Sequence, residues 1–172
     1  MLDPQAALEA VLESTRLLAT EAASLDECPG RYLAGPVTAP FDLPQFDRSA
    51  MDGFAVRSAD LAGGSAELRI AGEIPAGAPA LPAVRSGEAV RIMTGAPIPA
   101  GADAVQVVER TTAGSSASKV TVEGPIAPRE NIRFRGEDLK AGTLVLDAGT
   151  RIRSAEVALL ASLGIARPIV RR

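Results

Sequence analysis

Between residues 48 and 138 glycine and proline break the chain so often that no helical period survives, and only short extended segments fit. Glu67-Leu68-Arg69-Ile70-Ala71, Glu88-Ala89-Val90-Arg91-Ile92-Met93 and Lys119-Val120-Thr121-Val122-Glu123 each alternate with period two. That is the pattern of a strand with one face covered. Ala104 to Val108 is instead a more continuous apolar run, interrupted only at Gln106, suited to a strand covered on both faces. Thr111 to Ser118 (TTAGSSAS) reads as a flexible hairpin tip or loop. Short strands at regular spacing predict a small barrel or sandwich.

The two ends have a different texture. Asp3 followed by Pro4 is a helix start, a capping carboxylate and then a proline at the first helical position. Leu8, Val11, Leu12, Thr15, Leu18 and Ala22 fall on one face at helical spacing, which predicts an amphipathic helix to about Ala23 with its stripe in the core. Pro29, Gly30, Gly35, Pro36, Pro40 and Pro44 then allow only short extended pieces, such as Tyr32 to Val37. Gly142 to Asp147 reads as a strand. Ser154 is expected to cap a last helix with Glu156 in its first turn and Val157, Leu160, Ala161 and Leu163 buried. Gly164 should end that helix, with Ile165 packing back on Leu160. The expected fold class is α+β. A discontinuous α/β domain, residues 1–47 plus 139–172, carries an inserted β-rich domain, residues 48–138, that is barrel- or sandwich-like.

Composition narrows function. Apolar residues make up 47% of the 172, enough for a sizeable core, while aromatics at 3% leave that core to Ala, Val, Leu and Ile. The net charge of −3 and the lack of a basic run argue against nucleic acid or an anionic membrane surface as partner. One cysteine, Cys28, and no histidine exclude an internal disulfide and a histidine-based general base, and offer too few ligands for a zinc site. Acidic Asp26 and Glu27 beside Cys28 would not activate its thiol, so it reads as structural. No segment has the apolar length of a membrane span, and the N-terminus lacks a basic-then-apolar leader pattern. A cytoplasmic protein is expected.

Three stretches could carry chemistry. In Phe46-Asp47-Arg48-Ser49-Ala50-Met51-Asp52-Gly53-Phe54 a tight bend, held down by Phe46, Met51 and Phe54, would present Asp52. Gly53 would supply either a positive φ or a close approach to another group. The plainer alternative is an ordinary Asp-Gly turn. In Met93-Thr94-Gly95-Ala96-Pro97 a strand runs into a loop where a hydroxyl and backbone N–H groups could hold an oxoanion, or where Thr94 merely satisfies its own turn. In Arg133-Phe134-Arg135-Gly136-Glu137-Asp138 two guanidinium groups at alternate positions precede two carboxylates, which could bind an anion or form surface ion pairs with one another.

Those stretches also carry a resemblance. Pro44 to Val56 (PQFDRSAMDGFAV), Gly87 to Glu109 (GEAVRIMTGAPIPAGADAVQVVE), Asn131 to Gly142 (NIRFRGEDLKAG) and Ser154 to Gly164 (SAEVALLASLG) resemble, in the same order, the MoeA-type molybdopterin molybdenumtransferases, relatives of the gephyrin E domain. The similarity runs from about Gly30 to the end and corresponds to the N-terminal half of that family, where a β-rich domain is likewise inserted. It implies that Asp52, Thr94 and Asp138 are catalytic and that Arg135, Arg133 and Ser49 bind substrate, with Glu137 a weaker candidate. It further implies transfer of molybdate to adenylylated molybdopterin with release of AMP, assisted by Mg2+ in the complete enzyme, with none expected in this chain alone. A homodimer and partner proteins of molybdenum cofactor synthesis are implied as well.

The family's nucleotide- and molybdate-binding domain would begin where this sequence stops. The expectation is therefore an N-terminal fragment carrying half of a shared site, folded but inactive by itself. The alternative is a stand-alone module that binds or scaffolds other proteins of the pathway. A generic small-molecule-binding β-domain with no tie to molybdenum is a third reading.

Overall fold

The computed structural model describes residues 3–77 and 82–172, and its regular structure is mostly β with two helices. The chain opens with α1 (Pro4–Ser14), β1 (Thr20–Ala22), β2 (Tyr32–Leu33), β3 (Val37–Thr38) and β4 (Arg48–Ser49). Six longer-range strands follow: β5 (Gly53–Val56), β6 (Ala66–Ile74), β7 (Glu88–Ile92), β8 (Ala104–Val107), β9 (Thr111–Ala113) and β10 (Lys119–Val122). The order closes with β11 (Ile132–Arg133), β12 (Leu144–Leu146), α2 (Ser154–Ser162) and β13 (Ile169–Arg171). No helix among the described residues is long and apolar enough to cross a membrane.

The chain divides into two units: one runs to Phe41 and resumes over Ala141–Arg172, and the other is Asp42–Lys140. These seams differ from the 47/48 and 138/139 read from sequence. Residues 42–47 go with the second unit because Leu43 exchanges backbone hydrogen bonds with Leu139 and accepts from Asp138, while Pro44 accepts from Gly136.

The second unit is built on one six-stranded sheet, ordered β8-β5-β7-β6-β10-β9, in which β6 and β7 are parallel and the other neighbours antiparallel. Alternation sends successive side chains to opposite faces. Phe54, Val56, Ala89, Ala104, Val120 and Val122 fill one cluster, and Ala55, Val90, Ile92 and Val105 fill another. Ala104–Val107 is buried along nearly its whole length, including Gln106, whose amide donates to Glu123 O. Glu88–Ile92, which alternates in sequence, is covered almost as fully, with Arg91 the exposed position. β6 changes allegiance midway. Leu68 and Ile70 pack with the first cluster, Ala71 and Ile74 with the second, and the pairing slips between Ile70 and Gly72. A bulge of one residue reverses which side chains face which way, so a single strand serves both cores.

The β9–β10 hairpin is tied at its tip. Glu67 accepts from Lys119 Nζ at 2.7 Å, from the Ser115 N–H at 2.6 Å and from the Ser115 hydroxyl at 3.0 Å, which together bring its carboxyl down to about 2.

In the first unit β1, β13 and β2 form a three-stranded sheet and β3 pairs with β12. The opening helix stops at Ser14, well short of Ala23, because Thr15 turns extended and residues 20–22 pair with 169–171. Its apolar stripe is not core either. No residue of α1 is buried, and Leu8, Val11, Leu12, Leu17 and Leu18 are all more than half exposed. The last helix follows expectation at its end: Gly164 has φ +70°, its N–H donates to Ala161 O, and the Ile165 N–H donates to Leu160 O at 2.9 Å. This is the paired-bond stop that only a left-handed residue permits at low cost. Its start differs by one residue. Arg153 is the cap, donating its N–H to Glu156, and Ser154 is the first helical position. Cys28 is fully buried, its thiol donating to Ser24 O at 2.9 Å, and burial raises its pKa, so it is structural.

Candidate functional site

The bend at 49–53 is fixed from both ends. Ser49 donates its N–H to Ala96 O and accepts from the Gly95 N–H, each at 2.9 Å, while Gly53 stands opposite both Ile92 and Val107 in the sheet. The three intervening residues must arch over the segment that links Ile92 to Gly95. That arch places Asp52 against Thr94, whose N–H and hydroxyl both donate to Asp52 Oδ1, at 2.6 and 2.7 Å. Two side chains 42 positions apart thus form one unit. Thr94 does not merely satisfy its own turn, and Asp52-Gly53 is not a hairpin turn, because Gly53 opens β5.

Glycine at 53 is required by space. A Cβ there would lie 2.0 Å from the Gln106 carbonyl oxygen, and the backbone is not in the left-handed region. Of the three expected hydrophobic anchors only Phe54 is buried; Phe46 and Met51 are 48% and 43% exposed. Polar contacts hold the bend in their place. The Ser49 hydroxyl is buried and donates to Met51 O at 2.6 Å, and the Ala50 N–H donates to Asn131 O at 2.9 Å. Ser49, expected to bind substrate, therefore shapes the bend from inside.

Asp52 itself is exposed, at the edge of a cavity of about 220 Å³ lined by Asp52, Gly53, Phe54, Arg91, Met93 and Val108. The Thr94 N–H, then its hydroxyl, and more weakly the Arg91 charge hold the Asp52 carboxyl below the usual range. An acid so depressed is a poor proton donor or acceptor near neutral pH. It acts better as a fixed negative charge and hydrogen-bond acceptor, since Oδ2 accepts no hydrogen bond from the described residues. Arg91 was not visible as a site residue in the sequence, where one arginine in an alternating strand reads as its solvated face. Thr94→Val should raise the Asp52 pKa toward the ordinary aspartate range, because the ionised form loses one of its two donors. Carboxyl carbon shifts of Asp52 followed against pH check this, and an unmoved midpoint would show that the hydroxyl does not hold it.

The third stretch closes on itself. Arg133 ion-pairs with Glu137 and donates from Nη2 to Asp138 Oδ1 at 2.6 Å. The Phe134 N–H and Arg133 together lower the Glu137 pKa. Arg135 turns elsewhere, its N–H to Asp47 Oδ1 at 2.8 Å and its Nε to Asp42 Oδ2 at 2.5 Å. The two guanidinium groups do not converge on one anion site. The ladder of β4 with β11 joins this loop to the bend through Ser49 opposite Ile132 and Arg48 opposite Arg133, but Asp52 and Asp138 are held by separate partners. Among the described residues no group of three or more His, Cys, Asp or Glu side chains could hold a metal ion.

Comparison with known proteins is consistent across sequence and structure. The family model described as MoeA N-terminal region (domain I and II) matches residues 2–164. A molybdopterin molybdenumtransferase of Staphylococcus epidermidis is 42% identical over 153 residues, 87% of this chain and 36% of that protein. One of Haemophilus influenzae is 45% identical over 147 residues, 86% of this chain and 36% of that protein. The crystal structure of a molybdopterin biosynthesis moeA protein from Pyrococcus horikoshii OT3 superposes with a TM-score of 0.87 at 39% identity, covering 97% of this chain and 45% of that one. The chain spans little more than a third of the length of these curated relatives.

Proposed function

The chain belongs to the MoeA N-terminal family of molybdenum cofactor biosynthesis, and from that premise we propose that it supplies the β-rich wall of a site that inserts molybdate into adenylylated molybdopterin and releases AMP. The observation that carries this reading is the Asp52–Thr94 pair. Two of the stretches that resemble the transferases arrive, through the paired strands β5 and β7, at one exposed carboxylate beside a cavity. Asp52 would orient the substrate through its unoccupied oxygen, with Thr94 fixing the direction of that acceptor. Asp138 and Arg135 have secondary roles, since each must first exchange an internal partner. The remaining wall would come from the part of the relatives that lies outside the match, in a homodimeric, cytoplasmic enzyme. This chain without that part would not turn over.

A chimera tests it. Residues 2–164 joined to the remainder of the Staphylococcus epidermidis transferase should restore molybdenum cofactor in cells lacking their own enzyme. A folded, well-expressed chimera that yields no cofactor, where the intact relative does, would sink the reading.

A further inference from the structure

Two cavities of the second unit meet at one arginine. The first is the cavity beside Asp52. The second, of about 540 Å³, runs toward the β9–β10 hairpin, with Ile70 and Val120 among its apolar lining and Thr112, Ser116 and Lys119 among its polar lining. Phe54, Arg91 and Val108 line both. Register explains the sharing: Arg91 on β7 stands directly opposite Phe54 on β5. Such cross-strand partners project to the same face of the sheet.

The cations of the second unit are unevenly committed. Lys119 is bound to Glu67, Arg69 to Glu88, Arg133 to Glu137 and Asp138, and Arg135 to Asp42. Arg91 is exposed, and among the described residues neither an ion pair nor a hydrogen bond engages its guanidinium. Its β6 neighbour in register is Glu73, and its other acidic neighbour is Asp52. A guanidinium left open between an apolar trough and a fixed carboxylate matches a ligand with three parts in that order. A flat apolar body fits the trough, a phosphate fits the fork of donors, and a hydrogen-bond donor fits Asp52.

We infer that the two cavities form a single substrate groove in which Arg91 binds a phosphate, with the planar body of the ligand over Phe54, Ile70 and Val120. The inference rests on the functional reading above and deepens it. Asp52, also negative, repels the phosphate and so fixes which end of the ligand lies toward it. Arg91 is in this sense a substrate-binding residue that sets orientation.

The test uses this chain, isotopically labelled, with AMP and with inorganic phosphate as probes. AMP should shift the amide signals of Phe54, Arg91, Val108, Thr112 and Val120, whereas phosphate should shift only those around Arg91. Arg91→Met should weaken both by about tenfold, the worth of one charged hydrogen-bonding contact, while Arg91→Lys retains part of the binding. Signals of second-unit core residues away from the groove, such as Ile74 and Val105, serve as the check that each variant is folded. Unchanged affinity in Arg91→Met, or AMP shifts confined to residues outside the groove, would overturn the inference. The readout needs no turnover. A chimera without activity would therefore sink the functional reading while leaving the anion site standing, and the converse outcome would remove the site alone.

Discussion

Asp52→Ala in the complete chimera should lower cofactor formation by roughly a hundredfold to a thousandfold, the usual cost of removing one fixed electrostatic contact from a preorganised site. The protein should still fold. Asp52 is exposed and its two hydrogen bonds lie at the surface, where water can take over the Thr94 donors. The melting transition of the variant should therefore match that of the parent. Asp52→Asn separates charge from shape. It keeps an oxygen for Thr94 but removes the negative charge that faces the cavity, so a defect as deep as that of alanine would assign the effect to the charge. If asparagine works nearly as well as aspartate, the residue serves as a hydrogen-bonding strut. Turnover close to the parent in Asp52→Ala would remove the carboxylate from the mechanism altogether, and with it the observation on which the functional reading rests.

What the sequence disclosed depended on how local the cause was. The stop of α2 is written in five consecutive residues, Leu160 to Gly164, and it formed as read. The strands read at 88–93, 104–108 and 119–123 formed close to their expected limits, whereas β6 runs on to Ile74 and β9 forms within the stretch read as a hairpin tip or loop. The first helix was read too long because the apolar spacing continues through Leu18 and Ala22. What ends it is the pairing of residues 20–22 with 169–171, a contact across almost the whole chain that no local window contains. Asp52 and Thr94 were singled out separately, but nothing in either stretch states that they touch. That follows from the anchoring of Ser49 to Gly95 and Ala96. The surroundings of Ser49 and Arg91 were hidden for the same reason. A serine in a bend resembles a ligand group until its hydroxyl is found bonded inward to Met51, and an arginine in a strand resembles solvent decoration until its neighbours are found to be a cavity on either side.

Gly53→Ala should be the most disruptive small substitution in the bend. The added carbon would stand 2.0 Å from Gln106 O, 2.9 Å from Gln106 C and 3.0 Å from Val107 Cα. All three are backbone atoms, so no rotamer change relieves the contact. Ordinary separation can be restored only by moving β5 away from β8, and β5 is bound on its other edge to β7. Small-to-large changes in packed cores cost about 1–3 kcal/mol, and the absence of a yielding side chain puts this one at the upper end, about 3 kcal/mol. Urea unfolding of the chain should show the midpoint falling. Because Asp52 is the preceding residue, the same displacement should loosen the Thr94 contact and lower cofactor formation in the chimera beyond what the lost stability explains. Gly63→Ala is the matched control. Nothing lies within 4 Å of its added carbon and its φ is not positive, so it should unfold with the parent or slightly later, through the reduced freedom of the unfolded chain. Equal midpoints for the two variants would mean that β5 and β8 do not approach as closely as this geometry holds, and that the bend is not anchored from beneath.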